Sequence, residues 1–142
     1  MNKRHTEKMM QQLESATNFD QFYQNHADDF LSTSLAEHVQ ALIRERSLSR
    51  ADVIKAANLD RVYGYQMING TRMPTRDKLI QLAFGLQLDM EETQTLLKRS
   101  GQAPLYARVK RDAAIIFCIN NEYDIIETQS FLDQAGIRII GE

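Results

Sequence analysis

The chain has one cysteine, two prolines and no tryptophan in 142 residues. Each shortage excludes something. Cys118 alone makes neither an internal disulfide nor a cysteine-based zinc site. No run of roughly 18 apolar residues occurs, so no membrane span is expected, and residues 1–19 lack the apolar stretch of a secretory signal. An excess of one charge sign is also missing: 17 Lys and Arg face 19 Asp and Glu, a net charge of −2. Nucleic-acid binders usually carry a basic excess, so the total speaks weakly against that class. Enzyme motifs are equally scarce. His5, His26 and His38 lack metal-ligand spacing, and there is no phosphate loop or nucleophile elbow. We therefore expect no catalytic residues, no metal and no cofactor. No internal repeat, low-complexity segment or small-molecule pocket stands out.

Helix signals, by contrast, are abundant. Ser34 with Glu37, Asp89 with Glu92 and Asp124 with Glu127 have the capping-box spacing. Ser49, Asp60 and Thr75 are further caps, and Gly101 and Gly136 stand where helices would stop. The spacing predicts helices near 6–16, 19–31, 35–46, 50–57, 61–68, 76–85, 90–99, 106–121 and 125–135, an all-α chain. Phe19, Phe22, Tyr23, His26, Ala27 and Phe30 place aromatic rings on one face of the second helix. The helix at 106–121 is apolar nearly all round in its second half and must be covered. The aromatic face is the expected cover, ahead of a second subunit. Cys118, inside that run, reads as a small buried hydrophobe. Residues 137–140 look extended, either a strap over the last helix or a strand pairing with a second copy.

The informative stretch is Leu48 to Thr75, LSRADVIKAANLDRVYGYQMINGTRMPT. A short helix from Arg50 turns Val53, Ile54 and Ala57 inward. Asn58-Leu59-Asp60 then makes a tight turn in which Asn58 tolerates the left-handed conformation, and a second short helix from Arg61 turns Met67 inward. Two short helices so joined form a helix-turn-helix.

This pattern, with TRMPT and RDKLIQLAFGLQLD after it, resembles the Cro and lambda-repressor type of helix-turn-helix, the XRE family, from about Leu35 to Asp89. Departures are informative. Asn58 replaces the family's usual turn glycine. Ile54 stands where Ala is usual and Gly64 where Ile is usual, and those positions pack together in that fold. The pair reads as a volume exchange, with Ile54 filling the space that Gly64 vacates.

The resemblance implies a five-helix lambda-repressor-like core over residues 34–90. Around it lie an N-terminal helical extension at 1–33, a C-terminal helical region for interaction or dimerisation at 91–142, and a short extended tail. It implies a sequence-specific transcription regulator, a repressor in the first instance, binding double-stranded DNA as a homodimer with helix 61–68 in the major groove. The location implied is bacterial or phage, cytoplasmic and nucleoid-associated. Arg61, Val62, Tyr63 and Gln66 match the base-reading positions, and Arg50, Asn69, Thr71, Arg72, Thr75 and Arg76 the phosphate-contacting ones. Lys98, Arg99, Arg108, Lys110 and Arg111 form a further basic cluster, able to extend a phosphate surface or to meet an acidic partner. The alternative reading is a protein-binding adaptor or inhibitor that keeps the fold and works through its C-terminal helices. Divided by region, the charge is −2 over 1–33, +2 over 34–90 and −2 over 91–142, a mildly basic segment between acidic flanks.

Overall fold

A computed structural model describes residues 3–26 and 35–141. All regular structure among them is helical: α1 (Lys3–Ser15), α2 (Phe19–Asn25), α3 (Leu35–Glu45), α4 (Arg50–Ala56), α5 (Arg61–Asn69), α6 (Arg76–Gly85), α7 (Met90–Arg99), α8 (Lys110–Asn120) and α9 (Ile125–Gln134). Helix α2 closes at His26 instead of running to residue 31. Ala27, Phe30 and Ser34, and with Ser34 the first capping signal, lie outside the described residues. Helix α8 starts four residues later than expected. Val109 is extended and its N–H closes a turn onto the carbonyl of Tyr106 at 3.0 Å.

Local chemistry sets the helix starts. The side chains of Ser49, Asp60 and Thr75 accept from the N–H groups of Asp52, Tyr63 and Lys78. Asp89–Glu92 and Asp124–Glu127 are complete capping boxes, each satisfying two otherwise orphaned N–H groups. Asn58 adopts φ 55° between α4 and α5, the left-handed turn residue its amide side chain favours.

Helix α4 packs on both α5 and α6, and α5 also packs on α3. Two glycines allow the close approach. A Cβ at Gly64 would stand 2.7 Å from Cγ2 of Ile54, so the isoleucine occupies the missing side chain's space. A Cβ at Gly85 would stand 2.5 Å from the carbonyl oxygen of Val53, so α6 crosses α4 backbone to backbone. Gln81 of α6 fastens the turn between α4 and α5. Its Nε2 donates to the carbonyls of Ala57 and Asn58 at 3.1 and 3.2 Å. One apolar core continues from Leu35 to Ile140.

Contrary to the sequence reading, the chain contains an internal repeat. The α6–α7 pair recurs as α8–α9 at an offset of 35 residues. Arg76, Asp77, Asp89, Glu92, Thr93, Gln94, Leu97 and Gly101 are matched by Arg111, Asp112, Asp124, Glu127, Thr128, Gln129, Leu132 and Gly136. Matched residues make matched bonds. Gln94 clasps the backbone of Leu105 through both amide atoms, at 2.9 and 2.8 Å. Gln129 clasps Ile140 in the same way at 2.8 Å twice. The arginines cross over: Arg76 forks onto Asp112 of the second unit, at 3.2 and 2.9 Å, and Arg111 forks onto Asp77 of the first, at 3.0 and 2.9 Å. Asp112 also accepts from the N–H of Tyr106, and Asp77 from that of Gly141. Such reciprocal exchange is the signature of an isologous, two-fold contact. Helix α6 correspondingly packs on α9 as α7 packs on α8.

The repeat explains what covers α8. Its buried residues Ile115, Cys118 and Ile119 belong to the core that α7 and α9 share, and Phe22, the buried ring of α2, is not part of that core. Phe117 stacks on Phe131 with centroids 5.2 Å apart, and Tyr123 meets both rings edge-on. Cys118 is fully buried, and burial pushes its thiol pKa up, as a small buried hydrophobe requires. Residues 137–140 form no strand. They are a strap, held by Gln129 and by Arg111, which donates to the carbonyls of Arg138 and Ile139 at 3.0 and 2.8 Å.

Candidate nucleic-acid interface

Helix α5 is amphipathic in a way that fixes its outer face. Gly64, Met67 and Ile68 are buried against α3 and α4. At 100° per residue, Arg61, Val62, Tyr65, Gln66 and Asn69 fall within an arc of about 140° on the opposite side. Val62 is 65% exposed, far more than a valine with a packing role. Arg61 reaches over the ring of Tyr65, 5.9 Å from its centroid. The sequence reading left Tyr65 out of this set. Its position four residues after Arg61 was the available signal.

Two cations reach this face. Arg50 donates to Oδ1 of Asn69 at 2.6 Å, joining the start of α4 to the end of α5. Arg72 lies over the ring of Tyr63 at 4.6 Å and donates to Oε1 of Gln66 at 3.4 Å. Tyr63 is half-buried and packs on the core, so its ring supports Arg72 more than it faces outward. Thr71 donates its hydroxyl to the carbonyl of Gln66, finishing the helix at Gly70, where φ is 81°. Among the described residues, Arg50, Arg61 and Arg72 form no ion pair with a carboxylate. Their charge faces solvent.

The remaining sites fare differently. Thr75 is exposed and caps α6. Arg76 is committed within the chain: besides Asp112 it donates to the carbonyls of Ala103 and Pro104, at 2.9 and 3.2 Å. That leaves its guanidinium no fork to offer a phosphate. The C-terminal basic cluster divides along the same line. Arg111 is tied to Asp77 and the strap, Arg99 is half-buried at the end of α7, and Lys98, Arg108 and Lys110 are exposed. Burial raises the pKa of Asp77, but the bonds from Arg111 and Gly141 and the charges of Arg111 and Arg138 outweigh it, so the net shift is downward.

Fold and surface together define a protein that is all-helical among the described residues, with two solvent-facing arginines, Arg50 and Arg72, bonded to the outer face of the short helix α5. No family model, characterised protein or solved structure matches the chain. No helix among the described residues is long and apolar enough to cross a membrane, and no cluster of His, Cys, Asp and Glu among them has the geometry to hold a metal ion.

Proposed function

We propose that the chain is a sequence-specific DNA-binding regulator of the XRE helix-turn-helix kind, with residues 34–90 as its lambda-repressor-like reader. The observation that carries the reading is the outer face of α5, where Arg61, Val62 and Asn69 are exposed and Arg50 and Arg72 bond to Asn69 and Gln66. Arg61 supplies the two donors that suit guanine, Gln66 the donor and acceptor that suit adenine, and Val62 an apolar contact for a thymine methyl. Arg50 and Arg72 lie where phosphates flank a helix seated in the major groove. The Ile54–Gly64 contact supports the reading independently, because it is the exchange expected if these positions pack as they do in that family. A homodimer would place two copies of α5 about 34 Å apart on a two-fold operator.

Selection from a random duplex pool tests the proposal. A recovered consensus supports it, and a pool that stays random overturns it. With the consensus in hand, Arg61→Ala and Gln66→Ala each weaken binding by about 1–3 kcal/mol and relax the sequence preference. Arg72→Ala weakens binding to all sequences alike and lowers the salt slope by about 1. A stoichiometric protein partner with no retention on DNA would favour the adaptor reading instead.

A further inference from the structure

The repeat gives α6 and α8 equivalent faces, and only one of them carries a helix of the chain. Gln81 and Gly85 of α6 are the seat of α4: Gln81 donates to the carbonyl of Ala57, and Gly85 lies against the backbone of Val53. The matching residues of α8 are Ile116 and Asn120. Among the described residues Asn120 is exposed and Ile116 only half-buried. A face built to seat a helix is thus filled in the first unit and largely open in the second.

The open face has the pattern of a helix seam. Val109, Ala113, Ile116 and Asn120 recur at intervals of four, three and four residues, the spacing at which two helices pack side chains along one line. At 100° per residue these four and Phe117 fall within an arc of about 100°. Val109 is 47% and Phe117 46% exposed, and the ring of Phe117 is braced by its stack on Phe131. Ala113, near the middle of the seam, is small enough to let a second helix approach closely. The exchange between units also runs against solvation, because the apolar Ile116 stands on the open face and the polar Gln81 on the covered one.

The charges at its two ends select the occupant. Arg111 and Asp112 are used by the crossed pairs, which leaves Arg108 and Lys110, both exposed, at the start of α8. At the other end stand the last carbonyls of the helix and the exposed Glu122. A second α8 laid antiparallel sets each end against its opposite in charge and in helix dipole. The seam is self-complementary in that direction. A two-fold between Ala114 and Ile115 puts Val109 opposite Asn120 and Ala113 opposite Ile116, an isologous contact. We propose that two copies of this chain associate through antiparallel α8 helices on this face. The exposed end charges fix the direction and add little strength, and one short seam is a small interface, so the association is micromolar. This contact supplies the homodimer of the proposed function; its use on an operator rests on that reading, whereas the association does not.

Sedimentation equilibrium of the full chain tests the contact, with a monomer–dimer equilibrium as the expected result. Ala113→Arg is expected to weaken the dimer at least about tenfold with an unchanged circular dichroism spectrum. Glu91→Arg, a charge reversal at an exposed position of α7, is expected to leave the dimer as it was. The register is read separately by mixing Ala113→Cys chains with Ile116→Cys chains and oxidising them, Cys118 being buried. The mixture is expected to give several-fold more covalent dimer than either variant alone, because paired positions fall within disulfide reach and like positions do not. That cross-link decides the matter even where Ala113→Arg disturbs the fold. A monomer at every concentration, a dimer indifferent to Ala113→Arg, or equal cross-linking in the mixture and in the single variants overturns the proposal. An α8 dimer of a chain that selects no DNA would sink the regulator reading and leave the contact standing, and a consensus bound by a monomeric chain would do the reverse.

Discussion

Arg61 and Arg76 each begin a helix directly after its capping residue, and their surroundings are opposite. Among the described residues, Arg61 meets the face of Tyr65 and is otherwise exposed to solvent. Arg76 is enclosed by two carbonyls and the carboxylate of Asp112, and Arg111 occupies the equivalent cage in the second unit. The same residue at the same place on a helix is a presented charge in one region and a structural bolt in the other. What separates them is a carboxylate some 35 residues away, delivered by the repeat.

The sharpest way to break this contrast is to remove the bolts. Arg111→Ala leaves Asp77 without its cation and two strap carbonyls without that donor, and Arg76→Ala leaves Asp112 without its cation and the carbonyls of Ala103 and Pro104 without that donor. Each is expected to cost about 3 kcal/mol in urea denaturation, while Arg61→Ala stays within about 0.5 kcal/mol. Equal losses at all three positions would erase the distinction. Next comes the packing that holds α5. Gly64→Ala drives a methyl into Ile54 and is expected to cost about 1–3 kcal/mol. In an Ile54→Ala background the same change should cost much less, a coupling that a double-mutant cycle measures directly.

A smaller effect follows from acid. The carboxyl of Asp77 is held below its ordinary pKa, so its contribution to stability is present above the unfolded value and is lost as pH falls through the folded one. The stability gap between the parent chain and Asp77→Asn should therefore narrow from neutral pH toward about pH 3, and a gap constant across that range would contradict the shift. The smallest change is expected at Lys98→Ala and Lys110→Ala, exposed cations away from α5. Under the proposed function both should leave the salt dependence of DNA retention unaltered, and a reduced slope would move the proposed phosphate surface toward the C-terminal helices.

Features built from neighbours in sequence were legible. Ser49, Asp60, Thr75, Asp89 and Asp124 cap through bonds that span three residues, and Asn58 declares its turn by its own conformational tolerance. The Ile54–Gly64 exchange was legible because a resemblance supplied the contact. The repeat escaped because its shared residues are sparse and mostly polar, while most apolar positions between them changed identity and Ile80 with Ile115 is the exception. Leu82 became Phe117 and Leu88 became Tyr123. The surviving signal was the run Asp-x-x-Glu-Thr-Gln followed by Thr95 or Ser130, present at both sites. Without the repeat, the fates of Arg76 and Arg111 had no local sign, since their acceptors lie 27 to 36 residues away.

Helical-pair arrays ordinarily grow by stacking each new pair on the last, and they need dedicated end pieces to stop. The crossed arginines here set a different limit. Arg76 and Arg111 each find their aspartate in the opposite unit, and Asp77 and Asp112 each receive one arginine. A third copy would meet no partner left over for its own Arg-Asp step. The crossed pairs thus use the Arg-Asp step of both units on each other, and the α6 that takes part in them is the same helix that carries α4 and its turn.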